Sequence, residues 1–422
     1  MKKFGVIIFI CLILFANSCI QYSKEEREDI NDSFLVSMPE PKSEIKQVEL
    51  TEAQVSLTNA LNKLGFNLLY AGYDGKGTVI SPLSIYLSLG MALNGSDGET
   101  AAQISNVLGG EAADINSFCS SIINQLPAID LKTKLRVSNA IIVNNNYTLT
   151  ASYKDLIESL YYAPVVKLPF NDVDFVVKTV NNWCNRATEG LIPSIINMVD
   201  NTTMAYILNA LYFKANWSIP INHQQSFSFN DGKKINFLCG TGDIMSKSFE
   251  GFDVIAKEYG DNGKFKFYII LPKQKDGIKD LMATLKKTNW DSIAKGLTTK
   301  NISYAFPSFK LESGQSLKND LIALGIKDAF SMKADFSKMF DNDWSCSCDV
   351  IHKAVVEVDK NGTEAAAVTS ISMDSSAILN KYSFDFFANH PFIFAIADSS
   401  SSTILFTGVF DGKTAGAMME SD

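Results

Sequence analysis

Residues Asp359 to Ser376, DKNGTEAAAVTSISMDSS, carry two instructions that no single static structure satisfies. Alternate positions from Thr363 onward are Thr363, Ala365, Ala367, Thr369, Ile371 and Met373, all small or apolar and none charged. The interleaved set, Glu364, Ala366, Val368, Ser370, Ser372 and Asp374, is more polar and holds both acids. A β-strand sends successive side chains to opposite faces, so this stretch can enter a sheet with one face on a core. Yet it begins at Asn-Gly and ends in Asp-Ser-Ser, which are loop signals. A linker or an ordinary helix is the plainest reading of an Ala/Thr/Ser-rich run, and the flanks decide against it. Before it stands DVIHKAVVEVD, Asp349 to Asp359, a strand pattern with Ile351, Ala354, Val356 and Val358 bounded by polar residues. After it comes NHPFIFAIADSSSSTILFTGVF, Asn389 to Phe410, two apolar strands joined by an Asp/Ser turn, which reads as a β-hairpin. A segment that fits both loop and strand, set among strands, points to a conformational switch.

Much chemistry is excluded. There are three histidines, His223, His352 and His390, and no HExxH, Walker A, GxSxG or dinucleotide fingerprint. His352 falls in a strand pattern and His390 abuts Pro391, so both read as structural and the chain is expected to perform no catalysis. Cys346-Ser-Cys348 is the one close cysteine pair and lacks partner ligands nearby, so no metal site and no cofactor are called for. The formal net charge is −8 and no basic stripe exists, which argues against a nucleic-acid partner.

The N-terminus reads as an export signal. Lys2 and Lys3 precede an apolar run, Gly5 to Ala16, too short to span a bilayer. The run ends in Asn17-Ser18-Cys19, similar to a bacterial lipobox, which makes Cys19 the expected lipidation site after removal of residues 1–18. An ordinary signal peptide cleaved nearby is the alternative, and either one exports the chain. Residues 19–50 are polar, charge-rich (SKEERED, Ser23 to Asp29) and broken by Pro39 and Pro41, and read as a flexible tether to a membrane surface. The folded domain is expected over 51–412, with a tail at 413–422.

HKAVVEVDKNGTEAAAVTS followed by HPFIFAIADSSSSTILFTGVF resembles the serpins, the suicide inhibitors of proteases. The resemblance continues upstream in VISPLSIYLSLGMALNGSDGETAAQI (Val79 to Ile104), ILNALYFKANW (Ile207 to Trp217), YIILPK (Tyr268 to Lys273) and FPSFKLESGQSLKNDLIALGIKDAF (Phe306 to Phe330). These motifs stand in the family's order and cover roughly Thr51 to Phe410. The family implies an α+β fold of three β-sheets and eight or nine helices, with an exposed reactive-centre loop. Helical patterns at Glu52 to Tyr70, Ser81 to Leu93, Glu99 to Leu108, Ser152 to Leu160, Val173 to Ala187, Leu281 to Thr288 and Leu317 to Leu324, with strands dominant from about Thr203, agree with an α+β class.

The resemblance also assigns roles. Gly362, Thr363, Glu364, Ala365, Ala366 and Ala367 match the hinge. The family's interval places the scissile bond at Ser376–Ala377, to within a residue or two. The small Ser376 suits an elastase-like serine protease, and Met373, Ile378 and Leu379 suit elastase- or chymotrypsin-like enzymes. Attack on that bond is expected to give a covalent acyl-enzyme complex. Cysteine proteases, and a non-inhibitory binding role on the same fold, remain alternatives. Ser81, Ser84, Asn209 and His352 match the polar cluster beneath the strands that part, and Trp217 matches the tryptophan where the loop first enters. Lys360 departs from the glutamate the family commonly has two residues before the hinge glycine. The resemblance implies a monomer.

Overall fold

The computed structural model describes residues 41, 43–200, 203–230, 232–341, 351–363 and 383–412. Among these lie nine α-helices: α1 (Glu52–Gly72), α2 (Pro82–Gly95), α3 (Gly98–Leu108), α4 (Ala112–Gln125), α5 (Ala151–Leu160), α6 (Val173–Ala187), α7 (Ile278–Leu285), α8 (Trp290–Ala294) and α9 (Lys318–Leu324). Their starts are written in the sequence. Thr51 caps α1 in a reciprocal box with Gln54, Ser81 caps α2 with Pro82 at its first turn, and Asp172 caps α6. Each cap supplies an acceptor to a backbone N–H that the first helical turn leaves without an intrahelical partner.

The fifteen strands are β1 (Thr78–Ile80), β2 (Lys134–Asn144), β3 (Val165–Leu168), β4 (Ala205–Asn216), β5 (His223–Ser228), β6 (Lys234–Ser248), β7 (Phe252–Glu258), β8 (Phe265–Pro272), β9 (Thr298–Pro307), β10 (Phe309–Ser316), β11 (Ile351–Val358), β12 (Gly362–Thr363), β13 (Phe386–Phe387), β14 (Phe392–Asp398) and β15 (Ile404–Phe410). They form two hydrogen-bonded systems. One is a six-stranded sheet in the order β10-β11-β12-β4-β2-β3. The other runs β1-β15-β14-β8-β7-β6-β9-β13, with β5 also on β6. β6 joins two smaller sheets here, because its first residues pair β5 and β9 and its last pair β7. The three sheets implied by the sequence are therefore present, two of them continuous through one 15-residue strand.

The expected hairpin is β14–β15, antiparallel from Phe392↔Phe410 to Ala397↔Ile404. Every residue of both strands is buried. Its turn is held by Asp398, whose carboxylate accepts from the N–H groups of Ser400 (3.0 Å) and Ser401 (2.6 Å). A second, smaller core lies where α6 crosses the six-stranded sheet: Phe175, Val176, Val180 and Trp183 meet Ala140, Ile142, Leu208, Ala210 and Val355. The opposite face of that sheet joins the main core, with Leu211, Phe213 and Ala215 of β4 among its members.

Most of the expected tether, and the leader, fall outside the described residues. The end of that tether is not free. Val48 is buried and its N–H donates to Ser400 Oγ (3.0 Å), Ile45 N–H donates to the Ala128 carbonyl (2.9 Å), and Glu49 exchanges bonds with the Gln125 amide. The packed part of the chain thus begins by about residue 44, earlier than Thr51, because Ile45, Val48 and Leu50 give an otherwise polar stretch an apolar side.

Candidate functional site: a hinge at the mouth of an open sheet

β12 is the element on which the sequence reading turned, and it sits inside the six-stranded sheet. Gly362 pairs Asn216 and Thr363 pairs Ala215 on one side, and Thr363 pairs Val358 on the other, both antiparallel. β4 and β11 thus flank β12, and among the described residues no ladder joins β4 directly to β11. The first two hinge residues occupy the position of a middle strand. Glu364, Ala365, Ala366 and Ala367, the scissile pair Ser376–Ala377 and the lipidation residue Cys19 lie outside the described residues.

The chain enters this position through a tight turn. Asp359 N–H donates to the Gly362 carbonyl (2.9 Å). Its carboxylate Oδ1 accepts from the N–H groups of Asn361 (2.7 Å) and Gly362 (3.0 Å). Burial pushes the Asp359 carboxyl above the usual carboxylate range, and those N–H bonds pull the other way. Gly362 is required by contact: a Cβ there would lie 2.0 Å from the Ala215 carbonyl oxygen. Side-chain size, not only backbone freedom, fixes glycine at the point where the turn meets β4. Lys360 leaves its side chain out of the turn and gives only its carbonyl, which accepts from Ile221 N–H (3.3 Å). The acid that holds this turn is Asp359, one residue before Lys360, the position of the departure noted in the sequence.

Trp217 is buried at the same mouth. Its indole Nε1–H donates to the Asp359 carbonyl (2.8 Å) and its backbone N–H to the Asn361 carbonyl (2.8 Å). The ring stacks on Tyr259 with centroids 4.5 Å apart and planes 11° from parallel. The Tyr259 hydroxyl in turn hydrogen-bonds Thr363 Oγ1. Thr363 is 2 % exposed. Neither Tyr259 nor Asp359 was among the sequence candidates. Asp359 sits in an Asx pattern, Asp-Lys-Asn-Gly, that signals a turn, whereas nothing around Tyr259 marks it.

Lower in the sheet the structure divides the expected polar cluster. On the β11 side, Ser81 N–H donates to His352 Nε2 (3.0 Å), Ser81 Oγ donates to the Leu405 carbonyl (2.7 Å), and Ser84 N–H donates to Ser81 Oγ (3.2 Å). With Nε2 accepting, the imidazole proton is assigned to Nδ1. Burial pulls the His352 imidazole down to about 4. On the β4 side, Asn209 Nδ2 donates to Asn139 Oδ1 (2.6 Å), and Asn139 Nδ2 donates to the Tyr161 carbonyl (2.8 Å). The Asn209 Oδ1 is buried and has no hydrogen-bond partner. Ser81, Ser84 and His352 are brought together, and Asn209 stands apart from them with Asn139, which sequence reasoning missed.

His352 Nε2 faces a backbone N–H, and the ring nitrogens of His390 face the Pro272 carbonyl (2.7 Å) and the Asn389 amide oxygen (3.0 Å).

The family model for Serpin (serine protease inhibitor) matches residues 59–411. The chain belongs to the serpin family. Among curated serpins it is 31% identical to Iripin-1 of Ixodes ricinus over 369 residues, covering 83% of this chain and 93% of that relative. It is 30% identical to intracellular coagulation inhibitor 2 of Tachypleus tridentatus, covering 84% of this chain and 90% of that protein. Of solved structures it resembles the thermophilic serpin tengpin in its native state, with a TM-score of 0.75 and 28% identity over 88% of this chain and 97% of that one. The latent state of tengpin matches nearly as well, with a TM-score of 0.73 and 26% identity. Overall shape therefore does not separate this chain's likeness to the native state from its likeness to the latent state.

Proposed function

We propose that this serpin traps serine proteases of elastase- or chymotrypsin-like specificity by taking its own cut loop into the sheet between β4 and β11. The observation that carries the reading is β12, whose two residues already lie between these strands with no direct β4–β11 ladder. The run from Thr363 to Ser376 spans about 45 Å as a strand, and the 12 residues of β4 offer about 40 Å of edge. Insert and opening are matched in length. A dozen or more new ladder bonds at about 0.5–1.5 kcal/mol each sum to about 10 kcal/mol. That is ample to displace an attached protease and misalign an acyl-enzyme whose turnover depends on sub-ångström geometry. Ser376 before the scissile bond, with the nearest downstream cation at Lys381, favours a small or apolar specificity pocket. The leader with Cys19 supports export and display as a lipid-anchored surface protein.

Mixing the chain with an elastase tests this. The expected result is an SDS-stable complex, with mass spectrometry placing the cut at Ser376–Ala377. A cleaved loop without complex, and with no gain in thermal stability, would refute it.

A further inference from the structure

We propose that Lys257 is a positioning residue of the hinge: its ammonium group, held against the Trp217 and Tyr304 rings, keeps the indole where it receives the hinge strand. This rests on the insertion reading above and adds to it the group that controls the mouth. Lys257 lies on β7 opposite Phe267 of β8, and it is 7 % exposed. Its Nζ lies 5.6 Å from the centroid of Trp217 and 5.9 Å from that of Tyr304. No carboxylate pairs with it among the described residues. The adjacent Glu258 turns to Lys266, with 3.4 Å between the charged atoms. A cation buried without an anion takes its stabilisation from the ring faces it meets.

Those rings are the ones the hinge uses. Tyr304 is itself fixed, lying over Gly240 of β6, where an added Cβ would stand 2.4 Å from its ring. Trp217 is buried, with Tyr259 stacked on its ring and Phe267 and Phe306 set edge-on to it. Its Nε1–H holds the Asp359 carbonyl, and Tyr259 holds Thr363. From Nζ to Thr363 the path is therefore three contacts, through Trp217 and then Tyr259.

The titratable groups around this ammonium are few. Burial pulls Lys257 down to about 8, with Glu258 opposing that shift. Tyr259 and Tyr304 are raised by burial, as is the Cys239 thiol beside Tyr304, to about 12. Lys266 is paired with Glu258, and the Asp359 carboxylate is held by its own turn. Between pH 7 and 9, Lys257 is the group at the mouth that changes charge.

The test uses the full chain as wild type, Lys257→Met, Lys257→Arg and Trp217→Phe. Tryptophan fluorescence of the uncut protein, titrated from pH 6.5 to 9.5, is expected to show a transition near pH 8 in wild type. That transition is absent in Lys257→Met and Trp217→Phe, and is moved above pH 9 in Lys257→Arg. With an elastase at pH 7, the ratio of cleaved inhibitor to complex rises about three- to tenfold in Lys257→Met and is restored by Lys257→Arg. In wild type the same ratio rises with pH through the fluorescence transition. Methionine fills the same volume without a charge, so its melting temperature is expected to be no lower than wild type, and Lys257→Leu repeats the experiment if it is lower. Identical fluorescence titrations and identical partitioning in wild type and the neutral variant would overturn the role of Lys257. If wild type forms no complex at all, the insertion reading fails, while the fluorescence arm still decides whether Lys257 governs Trp217.

Discussion

Thr363→Arg concentrates the insertion argument in one side chain. Thr363 is 2 % exposed, its hydroxyl is bonded to Tyr259, and its backbone is paired on both sides. Arginine there loses the Tyr259 bond, about 1 kcal/mol. It also brings a guanidinium to a mouth whose other cation, Lys257, already lacks a carboxylate partner. Asp359, the acid of the adjoining turn, spends Oδ1 on two backbone N–H groups. Burying a charge without a full set of partners costs about 3 kcal/mol or more even after local relaxation. That cost expels the residue from the position it holds in the uncut chain, so it must re-enter before the rest of the strand can follow; since each 1.4 kcal/mol is tenfold in a rate, entry slows by more than about a hundredfold. Hydrolysis of the acyl-enzyme is unchanged by the substitution, so it overtakes insertion. Incubation with an elastase at increasing inhibitor-to-enzyme ratio, resolved on denaturing gels, is expected to give covalent complex with wild type and only cleaved chain with Thr363→Arg. Thr363→Val, which loses the hydroxyl alone, should keep most of the complex. An arginine variant that forms complex at the wild-type yield refutes the claim that this residue must enter the sheet.

Other consequences follow from the same geometry. The His352 imidazole is held neutral, near 4 against an ordinary value of about 6.5. Its contribution is therefore whole above pH 6.5 and is lost as pH falls toward 4, about 3 kcal/mol in all. The gap in thermal midpoint between wild type and His352→Gln is expected to narrow over that window, and a gap independent of pH contradicts the assignment. Gly362→Ala places a Cβ against the Ala215 carbonyl. Hydrogen exchange at Thr363 and Ala215 should rise in that variant, and unchanged protection would mean the turn has another conformation within easy reach. Removing residues 1–50 exposes the surface that Ile45, Val48 and Leu50 cover and breaks the bonds to Ser400, Ala128 and Gln125. That deletion should lower stability by about 2–4 kcal/mol, whereas removal of residues 1–40 alone should leave the melting temperature within error.

The hairpin was legible because its two apolar runs are bounded by turn residues, while of the expected hinge only Gly362 and Thr363 lie among the described residues. β14 and β15 could be read from NHPFIF…ILFTGVF with no knowledge of what surrounds them. The helices with apolar stripes and Ser, Thr or Asp caps were also legible; α6 begins and ends where the pattern does. β2 was not. It lies between α4 and α5, in a part of the chain that reads as helical, and its last seven residues are all buried, so neither face alternates. α4 was missed because its Asn and Ser content hides Ile115, Phe118, Cys119, Ile122 and Ile123, which do share a helical face. At the site, Asp359 was visible as a turn former but its anchoring role was not. Tyr259, Asn139 and Lys257 take their meaning from partners 22 to 104 residues away in sequence, and no local pattern can supply that.

On the insertion reading proposed above, the separated polar cluster would let a large sheet part without losing buried hydrogen bonds permanently. An unpaired buried carbonyl such as Asn209 Oδ1 costs about 1–3 kcal/mol. That cost would be eliminated by selection in a sheet with one fixed arrangement, since a leucine there would pack as well. It is tolerable where the same acceptor has a partner in another arrangement. His352, with its proton on Nδ1, stands on the far flank of the same gap, and an entering strand brings backbone N–H groups of its own. On that reading, Asn209 would meet one donor when β4 and β11 close on each other and another when a strand lies between them. Burial keeps His352 neutral, and Ser81, at the cap of α2, orients it by donating its N–H to Nε2. In this reading the unsatisfied atom belongs to an intermediate stage, with the hinge entered and the remainder of the strand yet to supply its bonds.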